Sequence, residues 1–112
     1  MNFETEKIHN IIVVKPQGSL DVSVQAPLKE KLQEIAAQND NDVVLDFSGI
    51  QFIDSACLGA LVALLKRLRE HKGDIKMACL TEDVRSIFQI PRLDRVFEIF
   101  DTKEEAVNSF FK

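Results

Sequence analysis

The sequence is poor in several residue types and patterns that mark particular classes of protein. Its 112 residues include no tryptophan, no tyrosine, two cysteines, four glycines and three prolines. No Gly-, Pro- or Ser-rich linker and no internal repeat divides the chain, so we expect a single domain over residues 1–112. The cysteines, Cys57 and Cys79, are far apart and follow no secretory signal, which predicts reduced, buried thiols without a disulfide bond.

An excess of positive charge is also missing. The chain mixes 14 basic with 18 acidic residues along its length and has a net charge of −4. Because a nucleic-acid-binding face needs clustered Lys and Arg, we expect no nucleic acid among the partners. Met1–Lys7 forms no apolar leader, and no run of about 18 apolar residues occurs. We therefore expect a cytoplasmic protein without direct membrane insertion.

The residues required for most catalytic and metal sites are scarce. Neither of the two histidines, His9 and His71, has a Cys or a carboxylate at metal-ligand spacing, and the glycine motifs that bind phosphate are absent. Asp21, Asp46 and Asp54 allow an acidic Mg²⁺ cluster at strand ends, but Asp is also a common helix cap and turn residue. We favour capping, and expect no cofactor, no resident metal and no catalytic activity.

The chain does contain enough apolar residues for a core, and their spacing predicts strands. Hydrophobic residues make up 46% of the sequence, which is sufficient for a domain of this size to fold without disulfides or metals. An opening hairpin is expected to turn at His9–Asn10, since Asn tolerates the left-handed conformation. The apolar stretch Ile50–Ile53 extends the central run before it. The predicted strands are Phe3–Ile8, Ile11–Lys15, Val43–Phe47, Ile75–Leu80 and Val96–Phe100.

Apolar residues at helical spacing predict four amphipathic helices. Pro27 lies in the first turn of the first helix, Lys72–Gly73 ends the second, and Pro91 ends the third. Strands that alternate with helices predict an α/β fold, a small mixed sheet with an opening hairpin and then parallel βα units, with helices packed against it. The four helices follow Gly18–Asp21, Asp54–Ser55, Thr81 and the capping box Thr102–Glu105.

The strand-to-helix junction at Ile53–Gly59 is the segment that most invites a functional interpretation. Either Asp54 or Ser55 is expected to cap the helix, and small residues let the helix pack closely on the sheet. Cys57 near a helix N-terminus is either a packed structural thiol, which we favour, or a redox-sensitive thiol of lowered pKa.

Three segments of the chain together resemble the STAS domain family, typified by bacterial anti-sigma-factor antagonists. The longest is Val43–Gly59, which reads V-V-L-D-F-S-G-I-Q-F-I-D-S-A-C-L-G, and the others are Gly18–Asp21 and Val84–Phe100. They occur in the family's order and cover nearly the whole chain. The resemblance implies a small mixed sheet with helices packed against it, in agreement with the periodicity.

The resemblance also implies a mechanism of partner switching. An anti-sigma factor with serine kinase activity would bind the unphosphorylated chain and be released on phosphorylation, and a serine phosphatase is a further candidate partner. Ser55 occupies the family's phosphoacceptor position, and Asp21 and Asp54 match its acidic flanks. The implied partner-binding residues are Asp21, Asp54, Ser55, Ala56, Cys57, Leu58 and Gly59.

Two positions depart from the family signature, and two other functions stay open. Ala56 replaces a common Ser or Thr and Cys57 a very common Gly, so we expect Cys57 to add bulk at the contact surface. The first alternative is a non-switching STAS component of a lipid-transporting ATPase complex or a signalling scaffold. The second is a small acidic-site phosphatase or nucleotide-binding enzyme, which the lack of a phosphate loop and a base disfavours.

Overall fold

The computed structural model describes residues 3–37, 42–89 and 92–111. Pro91, which was expected to end the third helix, lies outside these residues. The α/β class, with an opening hairpin and helices on a mixed sheet, is confirmed. The strands are β1 (Phe3–Ile8), β2 (Ile11–Leu20), β3 (Asp42–Asp46), β4 (Gly49–Ile53), β5 (Asp74–Ala78) and β6 (Glu98–Phe100). The helices are α1 (Gln25–Ala37), α2 (Ser55–Glu70), α3 (Glu82–Gln89) and α4 (Lys103–Ser109).

The sheet has the order β1-β2-β3-β5-β6, with β4 paired to β2 as well. Only β1 runs antiparallel to its neighbour, and the other pairings are parallel. The hairpin turn is where the sequence predicts it, since His9 and Asn10 have φ values of 50° and 69°, as a tight two-residue turn requires.

The sheet is covered on both faces, which gives the molecule a main core and a smaller one. Alternating side chains of β3 explain the division, because Val43 and Leu45 join the main core while Val44 faces the smaller one. Helices α1, α2 and α3 pack on the main core, and α4 covers the smaller one. No helix among the described residues is long and apolar enough to cross a membrane.

Strand β2 is longer than predicted, and the apolar stretch after β3 is a strand in its own right. The sequence pattern ended the second strand at Lys15, but the structure continues it to Leu20. Its first half pairs with β3 and its second half with β4. The prediction failed because the partner that extends β2 comes from a distant part of the chain, which local periodicity does not reveal.

A bulge in the β2–β4 ladder determines which side chains of β4 are buried. Gly18 pairs with Ile50 but Ser19 pairs with Phe52, so Gln51 is the extra residue of β4. The extra residue shifts the alternation of side chains by one. Ile50 and Ile53 therefore both reach the core, and Phe52 is left 46% exposed.

The predicted ends of two other strands are corrected by the structure. The last apolar run was predicted as a strand over Val96–Phe100, but Leu93–Arg95 forms a 3-10 helical turn and the strand spans only Glu98–Phe100. Phe97 is buried in the main core without belonging to a strand. Cys79 lies just beyond β5, not inside it, in a left-handed conformation with φ 64°.

The helix ends follow the chemistry expected from the sequence. Thr102 caps α4, accepting a hydrogen bond from the Glu105 backbone N–H at 3.1 Å and donating its hydroxyl to the Glu105 carboxylate. At the end of α2 the Gly73 N–H donates to the Leu68 carbonyl at 2.7 Å. The left-handed residue of that ending is Lys72, with φ 66°, and not the glycine beside it.

Candidate functional site

The junction between β4 and α2 is fixed by hydrogen bonds to Asp54. Its backbone N–H donates to the Leu20 carbonyl at the end of β2, at 2.9 Å. Its side chain accepts a hydrogen bond from the Cys57 backbone N–H at 2.8 Å, and its backbone is extended, with φ −89° and ψ 171°. Asp54 is therefore the N-cap of α2, which settles the alternative between Asp54 and Ser55.

Asp21 lies beside this junction, in the loop that leaves β2. The Asp21 carboxylate accepts hydrogen bonds from the Ser23 backbone N–H at 3.0 Å and from the Ser23 hydroxyl. These bonds, the hydroxyl first, lower the pKa of Asp21 below its ordinary value. The Asp21 side chain is therefore held in its ionised, carboxylate form beside the junction.

Ser55 is the first residue of α2, and its side chain is exposed. Ala56 and Gly59 are also exposed. Because Asp54 supplies the cap, the Ser55 hydroxyl has no structural task at the start of the helix. The junction therefore presents an exposed hydroxyl next to Asp54, with two small exposed residues, Ala56 and Gly59, in the same part of the helix.

Two of the residues expected to touch a partner are buried instead. Cys57 is 0% exposed and Leu58 is 8% exposed, and both side chains belong to the main core. The Cys57 thiol faces the Asp21 carbonyl at 3.6 Å. The expectation that Cys57 adds bulk at the contact surface is therefore wrong, because the third residue of α2 turns its side chain toward the sheet.

The environment of Cys57 also decides between the two interpretations of its thiol. Burial, followed by the hydrogen bond and the charge of Asp54, raises the pKa of Cys57 to about 11. These effects outweigh the helix N-terminus, which alone would favour the thiolate. Cys57 is a packed structural thiol. Both cysteines are free, so the prediction that they form no disulfide is confirmed, but Cys79 is only partly buried and the expectation of a buried thiol there is wrong.

Asp46, the third aspartate of the possible acidic cluster, belongs to another environment. Its side chain is buried, at 7% exposure, and accepts a hydrogen bond from the Ser48 backbone N–H at 3.0 Å. The pKa of Cys79 is raised, first by burial and second by the negative charge of Asp46. Asp46 closes a turn there, and no group of three or more potential metal ligands forms within residues 3–37, 42–89 and 92–111.

Sequence reasoning missed two residues at this end of the molecule. Ser23 is a second exposed serine, and the Asp-x-Ser spacing from Asp21 is the pattern of a local side-chain turn that could have identified it. Phe52 is exposed two residues before Asp54. No pattern in the sequence predicts its exposure, because the exposure depends on the bulge in β4.

The site offers a recognition surface with a hydroxyl that can accept a phosphoryl group. Asp21 and Asp54 contribute negative charge, and both already accept hydrogen bonds from their own loop or helix. Neither residue is aimed as a base at the Ser55 hydroxyl, and neither histidine belongs to the site.

Comparison with known proteins gives consistent matches along the chain. The model of the STAS domain family matches residues 2–106. An anti-sigma-B factor antagonist of Bacillus subtilis strain 168 is 28% identical over 107 residues, which cover 96% of this chain and 97% of that protein.

Solved structures resemble this chain in fold. An anti-sigma factor antagonist from Mycobacterium paratuberculosis superposes with a TM-score of 0.90 at 21% identity, over 99% of this chain and 94% of that one. The phosphorylated form of the Bacillus cell fate determinant SpoIIAA gives a TM-score of 0.75 at 21% identity, over 97% and 99% of the two chains. At these identities the structures establish a shared fold.

Proposed function

Because the chain belongs to the STAS domain family, we propose that it is an anti-sigma-factor antagonist that works by partner switching. In its unphosphorylated form it binds an anti-sigma factor that is also a serine kinase. Phosphorylation of Ser55 by that kinase ends the interaction, and a serine phosphatase restores the binding form. The whole chain, residues 1–112, acts as one STAS domain in the cytoplasm, as a binding protein and kinase substrate without catalysis of its own.

The observation that carries the proposal is the division of labour between Asp54 and Ser55. Asp54 caps α2 and Ser55 stays exposed as its first residue. A hydroxyl that has no role in the fold is free to enter a kinase active site. The matched relative from Bacillus subtilis is named an anti-sigma-B factor antagonist, which supports the same role.

The electrostatics of the junction explain how phosphorylation would act on binding and leave the fold intact. A phosphoryl group adds about −1.5 to −2 charges beside Asp54 and Asp21. Negative charge at a helix N-terminus is favourable by about 0.3–1 kcal/mol, so α2 is not expected to melt. Repulsion and the cost of desolvating the phosphate would instead weaken a partner docked over this surface.

The proposal is tested by identifying the partner and the phosphorylated residue. The purified chain, immobilised, is used to capture proteins from the source cell, and the recovered kinase is then incubated with ATP and the chain. We expect an anti-sigma factor kinase and phosphate on Ser55, with no phosphate on a Ser55→Ala variant. Ser86→Ala is the matched control, because Ser86 is an exposed serine on another helix, α3, and this variant should be phosphorylated at Ser55 normally.

Two results would overturn the proposal. Phosphate that maps consistently to another residue, with Ser55→Ala still modified, would remove Ser55 from the mechanism. Recovery of transporter subunits in place of a kinase would favour the non-switching STAS component instead.

A further inference from the structure

A shallow groove runs between α1 and α2 on the surface of the molecule. Leu32 and Leu64 form its buried floor, and its volume is about 140 Å³. The remaining lining residues are Lys29, Gln33, Ala36, Ala60, Ala63 and Arg67. The groove therefore has an apolar floor and a basic rim, and the α2 side of the groove carries the small side chains of Ala60 and Ala63.

The two cations at the rim of the groove have no ionic partner within the part of the chain that the structure describes. Lys29 and Arg67 form no ion pair with any residue in the described ranges. Arg69, two residues further along α2, shows the contrast, because it donates to the Asp74 carboxylate at 3.3 Å and to the Val96 carbonyl at 2.8 Å. The chain has a net charge of −4. Two cations without an ion-pair partner among the described residues, placed around an apolar floor, are complementary to an acidic occupant.

The groove continues the surface that carries Ser55. Both helices return the chain between parallel strands on the same face of the sheet, so they run in the same direction. At 1.5 Å per residue, Ala60 lies about 7.5 Å along α2 from Ser55 and Arg67 about 18 Å. A partner docked over Ser55 needs one additional segment about 18 Å long to reach the end of the groove.

Gly59 marks the approach from Ser55 to the groove. A Cβ at this position would meet no atom of another described element within 4 Å, so packing does not require a glycine there. Glycine in the middle of a helix is unfavourable relative to alanine. Ala60 and Ala63 follow Gly59 on α2. Because all three residues are small, another helix can approach the α2 backbone closely at these positions.

We propose that this groove is a second docking site for the partner that binds at Ser55, and that its occupant is an acidic amphipathic helix of that partner. The helix is about three turns long, places small or apolar side chains on Leu32 and Leu64, and brings carboxylates to Lys29 and Arg67. The inference rests on the proposed function, since it takes the partner to be the protein that docks at Ser55. The groove adds affinity and selectivity at a distance from the phosphorylation site.

The test uses the anti-sigma factor kinase that phosphorylates Ser55, titrated into the full chain and its variants by calorimetry. Arg67→Glu reverses a rim charge, and Ala63→Gln fills the groove without changing charge. Lys66→Glu is the matched control, because it makes the same charge change at an exposed neighbour that does not line the groove. We expect at least tenfold weaker binding for the two groove variants and less than a threefold change for the control.

A second readout locates the contact. In the ¹⁵N-labelled chain, kinase binding should shift the amide resonances of Ala60 and Ala63 as well as those of Ser55 and Ala56. Circular dichroism and urea unfolding of each variant should match the unmodified chain, so a loss of binding reports on the surface and not on the fold.

The outcomes separate this inference from the proposed function. If phosphorylation of Ser55 weakens binding while both groove variants bind normally, the groove is not a docking site and the switch stands. If Lys66→Glu weakens binding as much as Arg67→Glu, only general attraction is at work and the inference fails. A free chain that sediments as a dimer, and as a monomer after Arg67→Glu, would assign the groove to a second copy. If no kinase binds at the Ser55 end, both ideas fall together.

Discussion

At the scale of single residues, the structure distinguishes side chains that pack in the core from side chains that a partner can contact. Ser55 and Cys57 are two positions apart on α2, yet one is exposed and the other is 0% exposed. The sequence identified both as functional candidates because it gives residue types and spacing but not the rotation of the helix on the sheet. Only packing against β2 and β4 decides which of the two a partner can reach.

The raised pKa of Cys57 has a consequence for stability at alkaline pH. The thiol ionises at about 11 in the folded state, against an ordinary value of 9.0. The neutral form is therefore favoured by folding, and the unfolded chain loses this proton first. The contribution to stability is fully present below the ordinary pKa and is lost as pH rises from there toward the folded value.

We expect the free energy of unfolding to fall more steeply between neutral pH and about pH 10.5 in the unmodified chain than in Cys57→Ala. Urea unfolding at both pH values measures the difference, and Cys79 is present in both proteins, so its titration cancels. Equal pH dependence in the two proteins would show that Cys57 ionises normally in the fold.

Gly59 gives a second prediction at the residue scale. Because a Cβ there meets no atom within 4 Å, Gly59→Ala should raise the free energy of unfolding by about 0.5–1 kcal/mol. The reverse change at Ala63, which is also exposed within α2, should lower it by a similar amount. A loss of stability in Gly59→Ala would mean that the glycine is required by the fold, and it would then carry no information about a partner.

At the scale of elements, α2 is the helix on which the site is built, and its first turn depends on Asp54. Asp54→Ala removes the acceptor of the Cys57 backbone N–H, so we expect a loss of about 0.5–2 kcal/mol in urea unfolding. Asp54→Asn retains a capping oxygen and should lose less. Ser55→Ala removes an exposed hydroxyl and should change stability by no more than about 0.5 kcal/mol.

The comparison of these variants is also a control for the binding experiments. If Ser55→Ala were as destabilising as Asp54→Ala, Ser55 would be part of the cap, and its effect on binding could no longer be separated from an effect on the fold.

The elements were predictable from the sequence where their causes are local. The hairpin turn at His9–Asn10, the capping box at Thr102 and the end of α2 at Lys72 depend on neighbouring residues, and all three are found. The second half of β2, the bulge at Gln51 and the exposure of Phe52 depend on pairing between segments about 30 residues apart in the chain. Local periodicity carries no information about such pairing, so these features required the structure.

At the scale of the whole molecule, helices cover both faces of the sheet. The residues that we propose for partner binding lie at one edge of the sheet. Asp21 and Ser55 both follow strands that run in the same direction, β2 and β4, and the carboxyl ends of parallel strands meet at one edge of a sheet. In the sequence, only the resemblance to the STAS family brought these residues together, because neither the second half of β2 nor β4 was predicted as a separate strand. The sequence could not show that the surface extends along α2 into a groove, because the groove is formed by the packing of two helices.

The central claim is that phosphorylation of Ser55 controls binding without changing the fold. The most direct measurement is the dissociation constant of the recovered kinase for the enzymatically phosphorylated chain and for the unmodified chain, compared at one salt concentration. We expect phosphorylation to weaken binding at least tenfold, which corresponds to about 1.4 kcal/mol, with unchanged circular dichroism. Equal affinity of the two forms would contradict the switch, and a phosphorylated chain that binds weakly because it has unfolded would contradict the mechanism.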